Sequence, residues 1–142
     1  MKVVVLFESL TGNTRRAAEL IGGALKERGA EVKVRPIDAY DYGELAAADL
    51  IVVGTWVDGF VVVGHRPGRA GRLRALPVLD GKKVAAYVTY AINPGKALQK
   101  TAAVLEGRGA DIVATHQFRR DRIEAEVPAF ADEVLRAVPA PA

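Results

Sequence analysis

The sequence contains no cysteine among its 142 residues. Disulfide bonds, thiolate metal ligands and catalytic thiols are therefore excluded, and with them the cysteine-dependent phosphatases that share a small α/β fold. Long apolar runs are lacking as well, since no stretch approaches the roughly 20 residues that a membrane-spanning helix needs. The first run, MKVVVLF, turns polar at Glu8, which is typical of a buried strand rather than of a signal peptide. We therefore expect a cytoplasmic protein without a membrane segment.

Aromatic residues are scarce, at 6% of the chain, and the net charge is only +3, from 20 lysines and arginines against 17 acidic residues. Hydrophobic residues make up 50%, enough for one core, and the length is typical of one domain over residues 1–142. The sequence has two clusters of arginines without interleaved aromatic side chains that could stack bases, so no nucleic-acid partner is expected. The clusters are Arg66, Arg69, Arg72 and Arg74, and Arg119, Arg120 and Arg122.

Strand-like and helix-like segments alternate along the chain. Continuous apolar runs are typical of strands buried on both faces, whereas alternating apolar and charged residues indicate a strand near an edge. The predicted strands are residues 2–7, 30–35, 49–55, 82–90 and 111–118. Apolar residues at helical spacing predict helices at residues 13–28, 41–48, 93–108 and 124–138, with a short one at 69–76.

Five strands that alternate with helices predict an α/β fold with a parallel sheet and helices on both faces, because parallel crossovers are right-handed. A ligand of such a fold lies at the carboxyl ends of the strands, at the point where the strand order reverses. Candidate ligand residues should therefore follow the strands.

The densest group of such residues lies between the first strand and the first helix: Ser9, Leu10, Thr11, Gly12, Asn13 and Thr14. Backbone N–H groups and the positive end of the helix dipole favour a phosphate at this position. The hydroxyl side chains add donors, and Gly12 lets the backbone approach the anion. A P-loop lysine and the GxGxxG spacing of dinucleotide folds are both missing. One capping residue would suffice to start a helix, so the group predicts a phosphate site.

The segment SLTGNT, residues 9–14, resembles the [ST]-x-T-G-N-T phosphate-binding signature of the flavodoxins. The resemblance extends over nearly the whole chain in the order and spacing of its segments. It implies a single flavodoxin-like three-layer sandwich of the short-chain type. The five-stranded parallel sheet would have the order 2-1-3-4-5, and the cofactor would be FMN rather than FAD or NAD(P).

The same resemblance assigns two further segments to the flavin ring. Residues 55–59 follow the third predicted strand and match the first flavin-flanking loop, where Trp56 supplies a flat apolar surface. Residues 89–93 stand where the second loop contacts the pyrimidine edge, although the Gly-Asp pair of many flavodoxins is missing. The implied ring-binding residues are Thr55, Trp56, Val57, Asp58, Gly59, Thr89, Tyr90, Ala91 and Asn93.

The function implied by the resemblance is electron transfer between redox partner proteins through FMN, with no catalytic side chain and no metal ligand. Two alternatives stay open: a small FMN-dependent reductase of quinones or similar acceptors, and a flavodoxin-like binding module that has lost FMN. Because the net charge is positive where many flavodoxins are acidic, an acidic partner is expected. We expect a monomer or a weak dimer.

Overall fold

The computed structural model describes residues 1–8, 12–58, 66–67 and 79–138; of Asp58, Arg66 and Pro67 it describes the backbone alone. The strands are β1 (Lys2–Phe7), β2 (Glu31–Pro36), β3 (Leu50–Asp58), β4 (Arg66–Pro67), β5 (Lys83–Tyr90) and β6 (Asp111–Arg119). The helices are α1 (Asn13–Glu27), α2 (Tyr42–Ala47), α3 (Ala97–Gly107) and α4 (Ile123–Ala137), with a 3₁₀ turn at Ile37–Ala39. Among these described helices, none is long and apolar enough to cross a membrane.

Five strands form one parallel sheet in the order β2-β1-β3-β5-β6, and the short β4 pairs antiparallel with the end of β3. Numbered among themselves along the chain, the parallel strands have the order 2-1-3-4-5, which confirms the predicted fold. The order reverses at β1, because the chain passes to β2 on one side of β1 and then returns to β3 on the other. The carboxyl ends of β1 and β3 therefore form the crevice in which such folds bind ligands.

Alternate side chains of the strands enter two separate cores. Val3 and Val5 of β1 belong to the larger core, which includes buried residues of α1 and α4. Val4 and Leu6 of the same strand belong to the core that includes residues of α2 and α3. Both faces of β1 are thus covered, which explains why its sequence is a continuous apolar run rather than an alternating one.

The helix α1 packs against α4 and against the central strands β1, β3 and β5. Arg16 near the start of α1 pairs with Glu124 at 3.2 Å, and Arg28 beyond its end pairs with Asp132 at 2.7 Å. At the sheet, the Glu8 N–H donates to the Gly54 carbonyl oxygen at 3.0 Å and continues the β1–β3 pairing by one residue. The start of α1 is therefore held over the carboxyl ends of the central strands.

The third strand is longer than predicted, since it runs to Asp58 and not to residue 55. Trp56 is in register with Thr89 of β5, and Val57 and Asp58 pair with Pro67 and Arg66. The interpretation of residues 56–58 as a loop was therefore wrong. Strand partners that lie far along the chain extend β3, and a local composition pattern does not reveal them.

The helix after β5 begins at Ala97, four residues later than predicted. The Asn93 side chain accepts a hydrogen bond from the Gly95 N–H at 2.9 Å, and Gly95 has φ of +53°. This local turn competes with the helix for the backbone, as Asn side chains often do. The predicted short helix at 69–76 lies outside the described residues.

Candidate functional site

The helix α1 begins directly after Gly12, whose φ of +94° is a left-handed conformation that glycine adopts without strain. A Cβ built at this position would meet no atom of the described residues within 4 Å, its two chain neighbours aside. Within the described first turn of α1 there is no acidic side chain, and Arg15 and Arg16 stand there. Acidic side chains are common in the first turn of a helix because the positive end of the helix dipole stabilises a negative charge. A first turn with arginines and no carboxylate leaves that position to an anionic ligand.

Thr14 connects this helix start to the end of β5. Its hydroxyl lies 2.8 Å from the Thr89 hydroxyl, and the two residues are only 1% and 2% exposed. The residues are 75 positions apart in the sequence, and both were predicted as site residues from separate segments. The fold thus brings the predicted phosphate segment into direct contact with the third predicted segment.

Tyr87 contacts the same turn from below. Its hydroxyl is fully buried and donates to the Thr14 carbonyl oxygen at 2.8 Å. Burial raises the pKa of the Tyr87 hydroxyl, so the group remains a neutral donor. Sequence reasoning did not identify this residue, because a tyrosine in a strand is ordinarily a packing residue.

Gly54 of β3 makes room for Tyr87. A Cβ at Gly54 would lie 1.9 Å from the ring Cζ of Tyr87 and 2.3 Å from its hydroxyl oxygen. Sequence reasoning missed this residue too, although one signal was present: a glycine within the apolar run LIVVG indicates close approach of another group.

The described site residues lie at one edge of the sheet. Gly12, Asn13 and Thr14 are at the start of α1, and residues 55–58 are at the end of β3. Thr89 and Tyr90 end β5, and Ala91 and Asn93 follow it. The predicted Ser9, Leu10, Thr11 and Gly59 lie outside the described residues.

Side chains at the end of β3 differ in exposure. Thr55 is fully buried, whereas Trp56 and Val57 are half-buried. Trp56 therefore has both covered and exposed surface, and its register with Thr89 puts it beside the end of β5. In the part of the chain that the structure describes, no three His, Asp or Glu side chains form a metal-binding cluster.

This arrangement defines a class of protein, the doubly wound α/β proteins, whose ligands generally bind at the switch point of the sheet. The particular family follows from comparison with known proteins. A family model described as the flavodoxin domain matches residues 4–116. The chain therefore belongs to the flavodoxin domain family.

Two curated relatives are similar over most of the chain. The flavodoxin of Clostridium beijerinckii is 29% identical over 115 residues, which are 81% of this chain and 82% of that protein. The flavodoxin of Megasphaera elsdenii is 26% identical over 113 residues, 80% of this chain and 82% of that one. The solved flavodoxin of Streptococcus pneumoniae TIGR4 has a TM-score of 0.75 at 22% identity and covers 97% of this chain and 100% of its own, which shows the shared fold.

Membership of the family confirms FMN as the cofactor and electron transfer as the function. The relatives favour an electron carrier over a quinone reductase or a binding module without FMN. The described residues fit the phosphate end of FMN. Gly12 has a left-handed backbone at the helix start, the described first turn has no carboxylate to repel a phosphate, and a threonine hydroxyl lies in that turn.

Proposed function

We propose that FMN lies across the carboxyl edge of the sheet, with its phosphate at residues 9–14 and its ring between residues 55–59 and 89–93. The hydrogen bond between Thr14 and Thr89 carries this proposal, because it joins the helix start, which follows β1, to the end of β5. We further propose that residues 1–142 act as one domain.

The phosphate would contact Ser9, Thr11, Gly12, Asn13 and Thr14, with Leu10 completing the loop. A phosphate dianion at the start of a 15-residue helix gains from the dipole and from the N–H groups of the first turn. It would also compensate the two arginines of that turn, whose exposed partners Glu19 and Glu124 contribute little on their own.

The ring would lie between the ends of β3 and β5, where FMN supplies the electron-accepting group. The half-buried Trp56 would be the stacking surface, and Thr55, Val57, Asp58 and Gly59 would supply the remaining contacts on this side of the ring. From the other side, the backbone of Thr89, Tyr90, Ala91 and Asn93 would contact the polar edge of the ring. Such contacts depend on backbone N–H and C=O groups, so they do not require the Gly-Asp pair that many flavodoxins have in this loop.

The electron donor and acceptor would be redox proteins of the cytoplasm. This chain would work with them as a monomer or weak dimer, as one component of an oxidoreductase system. An acidic partner is supported by the net charge of +3 and by three arginines at the same edge as the site: Arg119, which ends β6, and Arg120 and Arg122, which follow it. Two of these arginines have their own carboxylate partners, Asp121 and Glu126, so the attraction would be moderate. Electron transfer to a small acidic protein should slow as salt is raised; a rate that rises with salt would contradict this partner class.

The site is tested by titrating apoprotein with FMN and with riboflavin, and measuring the quenching of flavin fluorescence. Thr14→Val removes a donor to a charged group, so FMN affinity should fall about tenfold or more. Because riboflavin lacks the phosphate, its affinity should not change. Thr101→Val is the matched control, because it removes a buried hydroxyl bonded to the Ala97 carbonyl within α3. Equal losses for both flavins, or equal effects of both variants, would contradict the phosphate assignment.

A further inference from the structure

The first turn of α1 is held from beneath by two side chains of one strand. Tyr87 and Thr89 are two positions apart in β5, so they point to the same face of the sheet. The Tyr87 hydroxyl donates to the Thr14 carbonyl oxygen, and the Thr89 hydroxyl bonds the Thr14 hydroxyl, both at 2.8 Å. One residue of the proposed phosphate site is thus fixed through its backbone and its side chain together.

The Tyr87 hydroxyl is not needed to fill the core. Its ring packs edge-on against Phe118 and Phe130, with centroids 5.7 and 6.5 Å away, and a phenylalanine would make the same ring contacts. The Thr14 carbonyl lies in the first turn of α1, where helical geometry already provides it with a donor four residues on. The buried hydroxyl therefore adds a second bond to a satisfied helix, and this bond acts on the position of Thr14.

The hydroxyl pair can be arranged in two ways, and only one serves a phosphate. Each threonine has a single proton, so one hydroxyl donates across the 2.8 Å contact and the other directs its proton elsewhere. When Thr89 is the donor, the Thr14 proton is available to an acceptor at the helix start. A hydroxyl that accepts a hydrogen bond is also a stronger donor, which favours a charged acceptor.

We infer that Tyr87 and Thr89 are positioning residues, which hold the Thr14 hydroxyl with its proton directed at the phosphate of the bound flavin. This inference rests on the proposed function. Neither residue touches the phosphate in this account; both act through Thr14. Their effect should therefore appear in the phosphate-dependent part of flavin affinity and disappear when Thr14 has no hydroxyl.

The test compares FMN and riboflavin affinities of the apoprotein, by fluorescence quenching, for Thr89→Val and Tyr87→Phe. We expect the ratio of FMN to riboflavin affinity to fall about threefold to tenfold in Thr89→Val and about threefold in Tyr87→Phe. Thr89→Ser keeps a hydroxyl and should preserve the ratio. The matched controls Thr101→Val and Tyr40→Phe remove hydroxyls on the other face of the sheet and should leave it unchanged.

A double-mutant cycle with Thr14→Val separates positioning from general stability. In the Thr14→Val background, Thr89→Val should change the ratio no further, because the donor that it orients is gone. Additive losses, or equal losses of FMN and riboflavin affinity, would overturn the positioning role, and so would an unchanged ratio in every variant. Failure of the wild-type apoprotein to bind FMN would instead overturn the proposed function, and the inference with it.

Discussion

Replacing Gly54 with alanine should strongly destabilise the protein. The new Cβ would lie 1.9 Å from the Tyr87 ring and 2.3 Å from its hydroxyl oxygen, well inside van der Waals contact. Gly54 lies in a central strand, in register with Phe7 on one side and Tyr87 on the other, so its backbone cannot move away without disrupting both pairings. The ring of Tyr87 must move instead, and it is fully buried.

The magnitude follows from two contributions. Overpacking a core typically costs about 1–3 kcal/mol, and displacing Tyr87 also removes its hydrogen bond to Thr14, worth about 1 kcal/mol. We expect the free energy of unfolding to fall by about 3 kcal/mol, measured from urea unfolding followed by circular dichroism. Gly23→Ala is the matched control, since its Cβ would meet nothing within 4 Å and the helix should gain about 0.5–1 kcal/mol.

The contact between the two positions can be isolated by removing the ring. In a Tyr87→Ala background, Gly54→Ala has space for its Cβ, so most of its cost should disappear, a coupling of about 2 kcal/mol. A Gly54→Ala protein within about 0.5 kcal/mol of wild type would refute the packing described here. The same holds if the cost of the alanine were unchanged without the tyrosine ring.

Two further predictions concern the surface and the ring site. The Arg35 guanidinium donates two hydrogen bonds to the Glu44 carboxylate, at 3.1 and 2.9 Å, and holds the pKa of that carboxyl below its usual value of 4.5. The pair therefore stabilises the fold at pH values above 4.5, and this contribution is lost as the pH falls through the lowered pKa. The urea midpoint of Glu44→Gln should therefore fall less on acidification than that of wild type, and an identical fall would contradict the pairing. Trp56→Ala should lower the affinities for FMN and for riboflavin by the same factor of about ten, because it removes a contact with the ring and none with the phosphate. A loss of affinity for FMN alone would contradict the stacking role.

The sequence predicted the sheet well where the strands are covered on both faces. The continuous apolar run of β1 is evident in the sequence because its side chains enter the two cores in turn. The start of α1 could be predicted because glycine and hydroxyl residues cluster after the first strand. These features depend on residues that are close together in the sequence, so local sequence patterns can predict them.

The features that were missed depend on partners far along the chain. The last three residues of β3 are strand because Thr89 and the residues of β4 pair with them. Tyr87 contacts Thr14 across 73 positions, and Gly54 has its role only because Tyr87 lies opposite. The predicted start of α3 at residue 93 was wrong for a local reason, since the Asn93 side chain forms a turn with the Gly95 N–H.

The most direct test of an FMN-dependent electron carrier is the visible absorption spectrum of the purified protein. Apoprotein is mixed with one equivalent of FMN, freed of unbound flavin by gel filtration, reduced with dithionite under nitrogen and then reoxidised. We expect one FMN to remain with each chain, to bleach on reduction and to recover fully on reoxidation. A protein that elutes without flavin, that retains FAD in preference to FMN, or whose bound flavin cannot be reduced and reoxidised would contradict the account.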